Sequence, residues 1–348
     1  MNKHGGYYGD NHGEIMDFSV NINPLGVPEK LIEVLKKELE KMARYPEIDG
    51  ASGKEALGHY LGIQSQNLIL GNGATELIYL FARSLKPERV LIVKPTFTEY
   101  NKAFRLESSS IYEHFTKEEN DFSIQIDELI SEIENIKPNV LVICNPNNPT
   151  GVFTEVNELV LVLDKLKETD AYLFIDESFV DFTDKDSLIS LIQRYDIFIL
   201  RSMTKIFAIP GLRLGYGIGK PDIIYKLAQI KEPWTINSLA LKSIEVLLED
   251  NQYLKKTKHW YSKEKQFLYY GLISIPNIRV IKSEANFFLI ELLKSDATQT
   301  KSHLLDKKIF IRSCNDFQGL SDKYIRIAVR KREENAKLIT ELKQYMEG

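Results

Sequence analysis

The chain has 348 residues, a formal charge of -4, and 43% hydrophobic and 27% charged residues, enough for two ordinary domains or for a large one with a smaller one attached. Acidic and basic residues are interspersed, so there is no basic stripe for a nucleic acid, and no apolar run is long enough to cross a bilayer. The polar start MNKHGGYYGDNHGE lacks the apolar core of a secretion signal, and the only two cysteines, Cys144 and Cys314, lie far apart; the expectation is a cytoplasmic protein without a disulfide framework, a membrane partner or a nucleic-acid partner.

In chain order, residues 28–42 read as a helix that packs on, or bridges to, a smaller domain. Short apolar runs at 90–93, 140–144, 172–175, 197–200 and 214–218 then read as strands. Between them lie amphipathic stretches such as 155–167, where Leu159, Val160, Leu163 and Leu166 recur at helical spacing. The alternation predicts an α/β fold: a large domain with a mostly parallel sheet covered by helices. After Pro233 the pattern changes to one or two long helices over 237–270, strands near 287–292, 310–312 and 325–329, and a closing helix at 332–346, the make-up of a smaller α+β domain. The expected division is an N-terminal segment 1–45 against the small domain and the site, a large domain 46–236, and a small domain 237–348. No internal repeat, low-complexity tract or flexible linker interrupts it.

In parallel sheets the loops after the strands build the site, and here those loops hold the unusual residues. The strongest signal is Arg201-Ser202-Met203-Thr204-Lys205 followed by Pro210-Gly211-Leu212-Arg213. A lysine just past a buried strand reaches into a cleft where desolvation or positive neighbours make its amine nucleophilic. Ser202 and Arg213 add a hydroxyl and a guanidinium, a pair suited to a phosphate; alone, the segment also fits a loop lysine beside a structural arginine. Gly71-Asn72-Gly73-Ala74-Thr75-Glu76 leads from an apolar run into a helix, so that backbone N–H groups can cradle an anion. Asn145-Pro146-Asn147-Asn148-Pro149-Thr150-Gly151 fixes a tight loop that aims an amide inward. Asp176, ending the run Tyr172-Leu173-Phe174-Ile175, is a carboxylate whose burial calls for a positive partner.

Taken in order, Gly-Asn-Gly, Pro95-Thr96-Phe97, Asn148-Pro149-Thr150-Gly151, Asp176-Glu177-Ser178-Phe179, Ser202-x-Thr204-Lys205 and Arg213 resemble the fold-type I pyridoxal-phosphate enzymes close to histidinol-phosphate aminotransferase, over essentially the whole chain. The resemblance implies pyridoxal 5'-phosphate as cofactor and Lys205 as the catalytic residue that carries it. It further implies Asp176 on the pyridine nitrogen, Asn148 on the ring oxygen, Phe97 stacked on the ring, and Gly73, Ala74, Thr75, Ser202 and Arg213 around the phosphate. Tyr45, in Arg44-Tyr45-Pro46, is similar to the tyrosine that crosses to the partner subunit's cofactor phosphate, which implies a homodimer with shared sites. One position departs: many of these enzymes have Tyr where this chain has Phe179, and Phe donates no hydrogen bond.

Within that group, His4-Gly5-Gly6, the segment Asp17-Phe18-Ser19-Val20-Asn21-Ile22-Asn23-Pro24, Pro233-Trp234 with Asn237, and Ile311-Arg312-Ser313-Cys314 resemble the threonine-phosphate decarboxylases of cobalamin synthesis. That resemblance implies a small phosphorylated amino acid as substrate, its phosphate on His4, Gly5, Asn21 and Arg312, its carboxylate on Arg326, with Asn148 also touching it. From the residues alone, Arg326 has apolar neighbours on both sides and either enters a cleft or lies on an edge strand, with Arg330 as a competitor. No metal site is expected, since His4 and His12 have no supporting ligand pattern. The alternatives are histidinol-phosphate aminotransferase, whose substrate has no carboxylate, and an aminotransferase-like sensor domain, whose helix-turn-helix partner this sequence has no spare residues to form.

Overall fold

The computed structural model describes residues 5–9 and 12–348. Its strands are β1 (Met16–Asp17), β2 (Leu68–Asn72), β3 (Arg89–Lys94), β4 (Ser110–Phe115), β5 (Val140–Cys144), β6 (Tyr172–Asp176), β7 (Ile197–Ser202), β8 (Leu214–Ile218), β9 (Ile278–Val280), β10 (Phe287–Leu292), β11 (Ile309–Phe310), β12 (Arg312–Ser313) and β13 (Tyr324–Ala328). Seven of them form the main sheet in the order β2-β8-β7-β6-β5-β3-β4. β8 runs antiparallel to both neighbours and the remaining pairs are parallel. The protein thus has the α/β fold read from its sequence.

The central strands are apolar along most of their length because both faces are covered, with polar residues such as Asp176 and Ser202 at their C-terminal ends. Alternate residues serve opposite layers. Leu141, Ile143, Leu173, Ile175, Ile197 and Ile199 pack with α5 (Ile126–Ile136) and α6 (Val156–Lys167). Val140, Val142, Phe174 and Phe198 pack instead with α3 (Ala74–Leu85), α4 (Thr98–Leu106) and α8 (Pro221–Ile230). α6 starts at a capping box formed by Glu155 and Glu158.

A second, antiparallel sheet of order β12-β13-β10-β9 packs its own core against α10 (Asn251–Ile273), α11 (Ala297–Asp306) and α12 (Arg332–Glu347). The stretch expected as one strand over 310–312 is two. Ile309 and Phe310 pair in parallel with β1, whereas Arg312 and Ser313 pair with β13, so the chain changes partner at Ile311. The long helical stretch likewise divides. α9 (Ser238–Leu248) ends before Asp250, whose side chain accepts from Tyr253 N at 3.0 Å and starts α10. Helix α1 (Glu29–Glu38) gives way to a 3-10 turn at Leu39–Ala43, and its Leu31 joins Ala240 and Ile244 of α9 in the main-sheet core. No helix among the described residues is long and apolar enough to cross a membrane.

Candidate active site

The C-terminal ends of β3, β5, β6 and β7 open on one cleft of about 330 Å³, and the second sheet closes its far side. Gly5, Asn21, Ala74, Thr75, Phe97, Asn148, Asp176, Lys205, Arg213, Arg312 and Arg326 all line it. Gly73 and Ser202 stand directly behind, touching Arg213 and Lys205. Tyr45 does not reach the cleft of its own chain: it is 84% exposed, its ring 5.2 Å from Trp234. His4 lies outside the described residues.

Lys205 sits on α7 (Met203–Ile206), the single helical turn that follows β7. Its Nζ donates to Ser202 Oγ at 3.2 Å, and Ser202 Oγ shares a 2.8 Å hydrogen bond with Thr204. Burial pushes the amine below the ordinary lysine range; Asp176 opposes that shift and Arg213 reinforces it. The outcome is a lysine that loses its proton more readily than a surface one, which a nucleophilic amine requires.

Asp176 ends β6 and is 6% exposed. Its oxygens accept from Tyr100 Oη at 2.6 Å and from Ser178 N at 2.8 Å, both neutral donors, and it makes no ion pair within the described chain. A cationic ring nitrogen would complete it. Tyr100 was not singled out from the sequence. Its signal is its place three residues after Phe97, one turn further along α4, where the two rings meet edge-on at 5.7 Å.

The anion cradle lies where β2 meets α3. Gly73 holds φ +75°, and a Cβ there would stand 2.3 Å from Arg213 Nη2; a Cβ on Gly215 would stand 2.5 Å from Ala74 N. Side chains would fill the space that these glycines leave at the helix N-terminus beside the guanidinium. Arg213, itself at φ +56°, accepts from Gly73 N through its carbonyl at 2.8 Å. Cradle, lysine, buried carboxylate and Phe97 together fit pyridoxal 5'-phosphate.

On the opposite wall, Arg312 and Arg326 face each other across the β12–β13 pair. Arg326 is buried, with its guanidinium 5.2 Å from the Phe287 ring; Nη2 donates to Ser19 O at 2.8 Å and Nη1 donates to Asn148 Oδ1. Its Nε is buried without a partner. Burial pulls its pKa down to about 10, still charged at neutral pH. Of the two sequence readings, the structure takes the cleft one, while the competitor Arg330 is tied to Glu334 at 2.7 Å. Arg312 is held by both oxygens of Asp316 at 2.8 and 2.7 Å, a partner that the sequence did not suggest. Phe179 is buried edge-on against Phe287 at 5.1 Å, with Lys205 Nζ 5.7 Å from its ring centre. No cluster of metal-ligating side chains occurs among the described residues.

This geometry is that of a fold-type I pyridoxal-phosphate enzyme, and the chain belongs to the aminotransferase class I and II family, whose model matches residues 13–342. It is 38% identical over 351 residues to a Caldanaerobacter subterraneus protein provisionally named threonine-phosphate decarboxylase, covering 99% of this chain and 95% of that one. It is 34% identical to the threonine-phosphate decarboxylase of Salmonella typhimurium, over 96% of this chain and 92% of the relative. Among solved structures, the histidinol-phosphate aminotransferase of Clostridium acetobutylicum matches with a TM-score of 0.89 and 32% identity, covering 95% of this chain and 98% of that one.

Proposed function

We propose that the protein decarboxylates O-phospho-L-threonine to (R)-1-amino-2-propanol O-2-phosphate, the linker of the cobalamin nucleotide loop, as a cytoplasmic homodimer. The observation that carries this reading is the 38% and 34% identity to threonine-phosphate decarboxylases over 99% and 96% of the chain, and the buried, unpartnered Nε of Arg326 in the same cleft as Lys205 offers a seat for the substrate carboxylate. Two of the five guanidinium hydrogens are engaged by Ser19 and Asn148, which leaves a fork for a carboxylate. Arg312, with Asn21, Gly5 and His4, is assigned to the phosphate, and Asn148 and Phe97 to the cofactor ring.

When bound, pyridoxal phosphate supplies a carbonyl for the substrate's amine and a conjugated ring that takes up the electron pair released at Cα. Arg326 grips the carboxylate and aims the Cα–carboxylate bond. Burial excludes water from the carboxylate, and Lys205 Nζ delivers the proton that replaces carbon dioxide at Cα. Asp176, which accepts from Tyr100 and Ser178, would hold the ring by its nitrogen. Tyr45, exposed with its ring 5.2 Å from Trp234, which lines a second cleft together with Arg213, is assigned to the partner's phosphate site.

The second reading, amino transfer from histidinol phosphate, is favoured by the likeness to the Clostridium acetobutylicum structure. Arg326 does not by itself separate the two, because the 2-oxoacid that accepts the amine also brings a carboxylate. The test supplies each substrate separately and follows carbon dioxide and amino transfer to 2-oxoglutarate. Carbon dioxide and aminopropanol phosphate from phosphothreonine support the decarboxylase; rapid transfer from histidinol phosphate without carbon dioxide from phosphothreonine overturns it.

A further inference from the structure

A chain of hydrogen bonds runs from the N-terminal segment to Arg326. Tyr7 N donates to Asp17 Oδ2 at 3.0 Å, and Gly6 N donates to Ser19 Oγ at 2.8 Å. Asp17 Oδ1 in turn accepts from Ser19 Oγ at 2.6 Å and from Ser19 N at 2.8 Å. The carbonyl of that same Ser19 accepts from Arg326 Nη2. Gly5 lies so close that a Cβ would stand 2.3 Å from Ser19 O, and Gly5, Ser19 and Arg326 line the cleft together. Tyr7 adds an edge-on contact with Phe310 at 5.2 Å.

The two halves of this chain are anchored unequally. Phe18, between Asp17 and Ser19, is stitched to the body on both sides: its N donates to Phe310 O at 2.8 Å and its O accepts from Ala328 N at 2.9 Å. The backbone that presents Ser19 O to Arg326 is therefore fixed by the frame. The contacts of residues 6 and 7 with that frame include the Asp17 carboxylate, the Ser19 hydroxyl and the Tyr7–Phe310 ring contact, and the next residue, Tyr8, is 74% exposed.

We propose that Asp17, with Ser19, is a positioning residue: a latch that hangs residues 5–7 as a strap over the substrate while leaving Arg326 in place. It governs substrate capture and not the bond-breaking step. The inference rests on the proposed reading only in placing a phosphorylated amine in this cleft. Asp17→Asn keeps the shape but replaces one acceptor oxygen with a donor that opposes the Tyr7 N–H.

The holoenzyme and Asp17→Asn are compared by chymotryptic nicking after Tyr7 and Tyr8, and these two, a variant lacking residues 1–8 and the two changes combined are compared by steady-state kinetics. Nicking of Asp17→Asn is expected to be about fivefold or more faster, with KM raised about tenfold and kcat within about twofold. The truncation should raise KM similarly, and the combination should add nothing, because both changes remove one strap. Unchanged nicking, a fall in kcat at constant KM, or KM effects that multiply would overturn the latch. Should Asp17→Asn fail to fold, Ser19→Ala removes the Gly6 anchor and is held to the same three criteria. Nicking needs no substrate, and KM is read with whichever phosphorylated amine is turned over, so the latch and the decarboxylase reading fail independently.

Discussion

Replacing Arg326 by Met keeps much of the buried volume and removes the fork. The guanidinium is buried, and its free donors are Nε–H and one hydrogen on each Nη. A substrate carboxylate there would make two charge-assisted hydrogen bonds, and losing such a pair costs about 2 to 4 kcal/mol. At 1.4 kcal/mol per tenfold, kcat/KM should fall by roughly 30- to 1,000-fold. Arg326→Lys keeps the charge without the planar fork and should recover only part of the loss. The assay is carbon dioxide release from phosphothreonine, paired with inhibition by aminopropanol phosphate. Aminopropanol phosphate has no carboxylate, so its affinity should change less than about fivefold. If Arg326→Met retains kcat/KM within about threefold, or if product affinity falls as steeply as kcat/KM, Arg326 does not hold the carboxylate.

Gly73→Ala would strain a φ of +75° and drive a methyl onto Arg213; cofactor affinity, measured by equilibrium absorbance titration, should weaken by about tenfold or more. Burial holds the folded pKa of Lys205 below its unfolded value of about 10.4, so its charged form costs stability at neutral pH and the cost disappears as pH rises through that unfolded value. Lys205→Met should therefore make the cofactor-free protein more resistant to urea at pH 7, with the advantage shrinking by pH 10. Glu177 and Arg201 form a buried pair at 2.9 Å that ties the strand ends bearing Asp176 and Ser202. Glu177→Ala leaves that arginine with Asp181 alone and should cost about 3 kcal/mol in denaturant unfolding.

The central strands were legible because strands buried on both faces read as unbroken apolar runs, whether parallel like β5 or antiparallel like β8, and 140–144 and 214–218 match these two at both ends. β4 escaped because this edge strand, Ser-Ile-Tyr-Glu-His-Phe, is largely open to solvent. The divided strand at 309–313 escaped because a change of pairing partner leaves no trace in hydropathy. In the site, Lys205, Asp176 and the glycine turn were legible as chemistry out of place at strand ends. Tyr100 under Asp176 and Asp316 on Arg312 were not, since a tyrosine and an aspartate are ordinary where they stand in the chain and take on meaning only through contacts made in space. Ser19 was visible within a motif, but its use as a carbonyl perch for Arg326, 307 positions away, depends on the fold.

The central claim is that Lys205 carries the cofactor. Borohydride reduction of the yellow holoenzyme, followed by proteolysis and mass spectrometry, tests it most directly. The account predicts a reduced pyridoxyl adduct on the peptide containing Lys205, absent from Lys205→Ala; an adduct on another lysine of the unmodified enzyme, with Lys205 unlabelled, would contradict it.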